Sequence, residues 1–310
     1  MGFNQSISAT ACHSMKLPIS AILPVLALAM VSPLSAGEPD KAPVWKISDS
    51  DSTVYLAWSV HLLRKKDLPI PAVFDRVYAE SEEVVFEVDM AVMSRPGAAA
   101  EMTKLGSLPA GETLSDRFVP ETMKRLRAYL RDCGMREDFL DPYDPGMVFL
   151  LLSSLEAGKL GAKPEFGVET ALFDQCLADG KPSRGLETMA YQVSLFDELD
   201  DSVIEEYLNR SLDQIKESPE AFDRLVEAWR EGDAKALAAE VDKDTSMPDE
   251  LRDLLLTKRN RNWIPEIEKA LATDRDVMFL VGAAHLVGEE SVVDLLRKKG
   301  IEVTQLANSE

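Results

Sequence analysis

The sequence predicts an α/β fold: a mixed, mostly parallel central sheet built from both ends of the chain, with a large helical insertion between them. Three observations predict it. Apolar runs rich in β-branched and aromatic residues lie near the start, at residues 53–60 and 83–88, and return near the end at residues 276–281. The first two runs are joined by a stretch with helical spacing, which makes a βαβ unit. The intervening chain, about residues 95–270, shows helical periodicity almost throughout.

Taken in order, the chain opens on a targeting segment. Met15-Lys16 gives a short basic start, and an apolar stretch runs to Ser32. Ala36 then offers a cleavage point before Gly37. The stretch is short for a membrane span and holds Pro18 and Pro24, so a cleaved signal peptide over about 15–36 is expected, preceded by an extension over 1–14. The mature protein is therefore expected in the periplasm or outside the cell, with no stable membrane span after cleavage, as a single domain over 37–310. Residues 37–47 read as a polar, proline-containing lead-in. Residues 53–60 read as a strand. Residues 70–81 carry Val73, Val77 and Tyr78 at helical spacing, and 83–88 form a second buried strand. The two strands are expected to be parallel neighbours with a right-handed crossover. Helices are expected over 120–131, 147–157 and 167–177, a short strand over 182–186, and helix over 187–199 and most of 200–274. A buried strand over 276–281 follows. A helix over 290–299, stopped by Gly300, leads to a final strand over 301–306.

Composition narrows the function. A formal net charge of −20 repels phosphate backbones, so no nucleic-acid partner is expected. With 45% hydrophobic and 28% charged residues, the chain is neither disordered nor a multi-span membrane protein. Signal cleavage removes Cys12 and leaves Cys133 and Cys176. An oxidising compartment permits a bridge between them, though their spacing requires none. No CxxC is present, so structural zinc has no support.

The mature chain holds two histidines, His61 and His285, and each follows an apolar strand after a short run of small or apolar residues. Ligands of open α/β sheets sit outside the carboxyl ends of the strands. If the two strands are parallel and adjacent, the rings share one crevice, within about 10 Å of each other. Glu87 ends the second strand and would be partly buried, hence paired, protonated or bound to a cation. Asp89, two positions on, shares its face or caps the next segment. Glu187 sits at a strand–helix junction, either in the site or complementing a helix dipole. Arg259, close to Trp263, could offset a buried carboxylate, hold an oxyanion or form a surface salt bridge. Two histidines with carboxylates suit a divalent metal ion of the zinc, manganese or iron type, which could activate a water.

Together these motifs resemble the TraB/GumN family, in the wider group of Tiki proteases, haem-binding ChaN-like proteins and erythromycin-esterase-like enzymes. The resemblance covers about residues 42–306 and rests on order and spacing. It runs through Trp45, Trp58-Ser59-Val60-His61-Leu62-Leu63, a helix start near Leu68-Pro69, and the strand from Val84 through Glu87 to Asp89. It continues with Gly167-Val168-Glu169, Gly185-Leu186-Glu187-Thr188 with Gln192, Arg259-Asn260 with Trp263, and Gly282-Ala283-Ala284-His285-Leu286. The resemblance implies a metal-dependent site formed by the paired GxxH motifs and a glutamate, with peptide hydrolysis as one activity. His61, His285 and Glu87 would hold the metal. Glu87, Glu187 and Arg259 would serve catalysis, Glu187 supporting the ligands or acting as general base. Trp58, Gly282 and Asn260 would line the site. Two positions depart from the family pattern: Trp58 stands where its first GxxH has glycine, and Glu169 replaces its usual aspartate. Trp58 is expected to wall the pocket. The expected function is a metal-dependent peptidase- or esterase-like hydrolase of the cell envelope, acting on a peptide or small molecule. The alternative is a non-catalytic ligand- or haem-binding protein on the same scaffold.

Overall fold

Among the described residues, eight segments form strands: β1 (Lys41–Ser48), β2 (Thr53–Ser59), β3 (Leu63–Arg64), β4 (Glu83–Val88), β5 (Ala162–Lys163), β6 (Ser183–Glu187), β7 (Val277–Gly282) and β8 (Thr304–Ala307). They were read from a computed structural model, which describes residues 41–215, 218–243 and 247–308. The expected signal segment lies outside those residues. Six strands make the main sheet in the order β6-β4-β7-β2-β1-β8, and β3 pairs with β5 apart from it. The pairs β6–β4, β4–β7 and β7–β2 are parallel, while β1 runs antiparallel to both β2 and β8. The sheet is thus mixed and mostly parallel, as expected.

The helices in chain order are α1 (Val73–Glu80), α2 (Met90–Ser94), α3 (Ala98–Leu105), α4 (Pro120–Asp132), α5 (Pro145–Lys159), α6 (Val168–Asp179) and α7 (Met189–Ser194). There follow α8 (Asp201–Gln214), α9 (Ser218–Arg230), α10 (Ala234–Lys243), α11 (Asp249–Arg252), α12 (Lys258–Leu271) and α13 (Val292–Lys298). One turn of π-helix, Asp253–Thr257, leads into α12.

Three expectations are corrected. Residues 37–47 are not all lead-in, since β1 pairs with β2 from Val44↔Ala57 to Ser48↔Thr53. Pro43 disguises the strand, but it lies where the β1–β8 register shifts, between Lys41 and Trp45, a place where a missing N–H is tolerated. The strands of the βαβ unit, β2 and β4, are parallel but not neighbours, because β7 lies between them. Every residue of β7 is buried, as befits a central parallel strand covered on both faces. Finally, the helix expected over 187–199 starts later. Glu187 still belongs to β6, and the Thr188 side chain accepts the Tyr191 N–H to cap α7.

Helices cover the sheet. The Trp58 indole is fully buried, with its ring centroid 4.7 Å from that of Trp45. Trp229 on α9 donates its Nε1–H to the Trp58 carbonyl at 3.1 Å, tying the helical insertion to β2. Cys133 and Cys176 are both free thiols. Among the described residues no helix is long and apolar enough to cross a membrane.

Candidate functional site

Four adjacent strands, β6, β4, β7 and β2, run the same way, and each ends by delivering a polar residue to one edge. Glu187 ends β6, Glu87 lies at the end of β4, Gly282 ends β7 with His285 three residues on, and His61 follows β2. The register Ser59↔Gly282 sets the last two strands level.

The result is one cluster. His61 Nε2 and His285 Nε2 lie 3.8 and 3.9 Å from the same oxygen, Glu87 Oε1. That oxygen also accepts the Gly282 N–H at 2.6 Å. Residues 61 and 285 thus meet, as their matched flanks predict. A Cβ added at Gly282 would stand 3.0 Å from Glu87 Oε1 and 3.3 Å from His61 Nε2, so glycine keeps open the space between them.

Each ring is oriented through its other nitrogen. His61 Nδ1 is 2.5 Å from Glu169 Oε1 on α6. Gly167 makes this approach possible, because a Cβ there would sit 2.2 Å from the His61 carbonyl oxygen. The Val168 N–H then donates to the Val60 carbonyl at 3.3 Å. On the other side, the Asn260 amide donates to the Glu290 carbonyl at 2.9 Å. Its Oδ1 is left to accept from His285 Nδ1 at 2.6 Å. In its neutral form, a histidine whose Nδ1–H is donated presents Nε2 as a lone pair.

Arg259 organises the cluster from behind. Its side chain is completely buried. Nη2 donates to Glu87 Oε2 at 2.6 Å, Nε donates to both Glu187 oxygens at 3.2 and 3.0 Å, and Nη1 donates to the Leu255 carbonyl at 3.0 Å. Nη1 also lies 3.1 Å from His285 Nε2. Leu255 belongs to the π-helical turn, so the distortion before α12 supplies a carbonyl to the guanidinium. Glu187 is further held by the Trp263 indole N–H at 2.8 Å and the Gln192 amide at 3.0 Å. The Trp263 ring packs on His285, centroids 4.4 Å apart.

These contacts set the charges. Burial alone would make Glu87 harder to ionise, but Arg259 and the two histidines reverse this and hold it well below the usual carboxylate range. Burial would push His61 down, yet the carboxylates of Glu169 and then Glu87 raise it to about 9. For His285 burial and Arg259 act together and push it down to about 3.

The structure assigns some sequence candidates other places. Trp58 packs in the core and does not line the cleft, because the strand pleat turns it into the layer occupied by Trp45. It gives no stacking face to a ligand. Glu187 has both oxygens committed to Arg259, Trp263 and Gln192, so it holds Arg259 and is not free to act as a general base. Arg259 offsets buried carboxylates and presents no donor to an oxyanion. Asp89 caps α2, accepting the Ala91 and Val92 N–H groups. Sequence reasoning did not place Glu169 in the site, although the Gly167-Val168-Glu169 motif was its signal.

A partly open cleft reaches the cluster, lined by His61, Glu87, Glu169, Thr170 and Gln192 at its polar end. Among the described residues, no three His, Cys, Asp or Glu side chains are drawn close enough together to hold an ion. In donor type and orientation, however, the cluster fits a divalent cation. Two imidazole Nε2 atoms and one carboxylate oxygen converge on a space that a Cβ would fill, and both Nδ1 atoms are anchored.

Comparison with known proteins identifies the family. The chain is 23% identical over 247 residues to the uncharacterized protein YbaP of Escherichia coli, covering 78% of this chain and 87% of that one. It is 24% identical over 314 residues to the metalloprotease TIKI1 of Danio rerio, and 23% identical over 284 residues to the metalloprotease TIKI2 of the same fish. These matches cover 84% and 76% of this chain but only 62% and 54% of the TIKI proteins. No solved structure matches. A sequence profile of the TraB/PrgY/gumN family matches residues 43–305, nearly the whole described chain, and the protein belongs to that family.

Proposed function

We propose that the protein is a metal-dependent hydrolase of peptide or related acyl bonds that works outside the cytoplasm. The observation that carries this reading is the convergence of two anchored imidazoles on one buried carboxylate oxygen at the carboxyl edge of a parallel sheet. The TIKI relatives, named as metalloproteases, support it.

His61 Nε2, His285 Nε2 and Glu87 Oε1 would hold the cation. When bound, such an ion supplies an activated water and polarises the scissile carbonyl. The rest is the work of the chain. Glu169 and Asn260 fix the two rings. Arg259 keeps Glu87 ionised and is itself held by Glu187, so the ligand set stays anionic at its centre. Gly282 leaves room beside Glu87 and donates its N–H to it. The signal segment and cleavage near Gly37 expected from the sequence support a mature chain in the periplasm or outside the cell, and mass spectrometry of the exported protein tests this.

The test is hydrolysis of a mixed peptide pool by the purified full chain, before and after chelation and with manganese, zinc or cobalt restored. We expect cleavage to vanish on chelation, return with one of the metals, and be absent in His285→Ala. Cleavage that survives both chelation and His285→Ala would sink the proposal.

A further inference from the structure

Beyond its polar end, the cleft has a wall of one kind: Phe86, Val88, Met90, Met93 and Met189. The thioethers come from two short helices that leave the ends of neighbouring strands. Met90 and Met93 lie three residues apart on α2, which follows β4, and Met189 opens α7, which follows β6. They therefore stand beside Glu87, whose strand carries Phe86 and Val88 as well. No lysine or arginine is among the residues lining the cleft.

A second observation lies at the polar end. Glu169 uses Oε1 to hold His61, while its Oε2 is buried without a hydrogen-bond partner. A buried carboxylate oxygen left unpaired is costly, and a ligand N–H satisfies it. A substrate carboxylate at the apolar wall would find no lysine or arginine in the lining to pair with. An apolar side chain finds a wall that adapts to its shape, because methionine is flexible and polarisable.

The geometry points to a peptide substrate whose apolar side chain, of the methionine, leucine or phenylalanine type, fills the Met90–Met93–Met189 wall while an adjacent N–H donates to Glu169 Oε2. This assignment rests on the hydrolase reading and names the substrate class of the same site. The N–H can belong to an internal amide or to a free amino terminus, and the two are separable by experiment.

The experiment uses the full chain, loaded with whichever metal supports activity, and a peptide pool varied at one position, with cleavage sites located by mass spectrometry. Methionine, leucine or phenylalanine beside the scissile bond should raise kcat/KM at least about tenfold over aspartate or lysine, the discrimination that an apolar pocket supplies. Met189→Glu should remove that preference and admit lysine. Glutamate at the first position of α7 suits the helix dipole, so the fold should persist, as an unchanged melting temperature would show. Acetylated and free-amine versions of the best peptide identify the donor. Cleavage indifferent to the varied residue, or a preference untouched by Met189→Glu in a folded protein, overturns the assignment.

Binding is read independently of turnover from the methionine methyl resonances, with N-acetyl-methionine amide and N-acetyl-aspartate amide as probes. If no peptide is cleaved but the methionine amide alone shifts those methyl signals, the pocket stands and the hydrolase reading falls. If neither cleavage nor a selective shift is seen, both fall.

Discussion

His61 and His285 are placed by the same device, an apolar parallel strand ending in a short turn, and the two strands are hydrogen-bonded neighbours in register. Their electrostatics are nonetheless opposed. His61 faces Glu169 and Glu87 and is raised to about 9, while His285 is pushed down to about 3 by burial and then by Arg259. The strand end fixes where an imidazole stands. The helix that packs behind it, α6 in one case and α12 in the other, decides whether it carries a proton.

Substitutions that exchange or remove those backing groups break the comparison. The largest effect is expected for Arg259→Met, which strips the buried Glu187 of its counter-charge and leaves Glu87 with only the His61 ring. Breaking a buried pair on one side costs about 3–5 kcal/mol. Urea melts should show such a loss, and histidine NMR should show His285 moving up from about 3 as the neighbouring cation disappears. A loss below about 1 kcal/mol would mean the guanidinium is not what keeps the site charged.

Trp58→Ala comes next, at about 3–5 kcal/mol for the cavity left by a fully buried indole. Because Trp58 faces the core and not the cleft, the titrations of both histidines should stay where they are. A shift in either would show that the indole reaches the site after all.

Glu169→Gln isolates the difference between the two rings. His61 titrates higher in the folded chain than its ordinary 6.5, so its protonation stabilises the fold below pH 6.5, and that contribution is lost as pH rises through about 9. The substitution should lower the His61 pKa and reduce stability below pH 6.5 by at most about 3 kcal/mol, and the gap from wild type should close above pH 9. His285 carries the opposite sign. Its folded pKa is depressed, so it costs stability as pH falls from 6.5 toward 3, in wild type and variant alike. Chemical denaturation across the pH range checks both limbs; parallel curves for the two proteins would refute the role given to Glu169.

The smallest effect belongs to Gly282→Ala. Its methyl group would press on Glu87 and the His61 ring at 3.0 and 3.3 Å, an overpacking worth about 1–3 kcal/mol. Thermal melts measure it, and binding of a divalent cation by calorimetry should weaken in parallel. Undiminished metal binding would show that the space beside Gly282 is not the one a cation uses.

Much of this site could be read in the sequence, because strand ends announce themselves. The apolar runs before His61, Glu87 and His285 place those residues at the carboxyl edge of the sheet without any tertiary information. The backing groups were harder. The roles of Glu187 and Arg259 depend on whether each oxygen and N–H is already taken, which only packing decides. Trp58 was misplaced because motif alignment matches it with Gly282, whereas the strand register pairs it with Val281 and Ser59 with Gly282. That one-residue offset turns the side chain to the other face. β1 was hidden by Pro43, and the centrality of β7 by its distance along the chain from β2 and β4.

That last arrangement has a consequence for how the molecule is made. β7, residues 277–282, is the central wedge of the sheet, and until it emerges during synthesis β2 and β4 have no partner on their facing sides. A chain cut short before residue 277 would keep α1 to α12 yet present two apolar edges, on β2 and β4, open to pairing with other chains. Such fragments should aggregate instead of settling into a smaller stable domain, which makes the last tenth of the polypeptide the step that commits the rest.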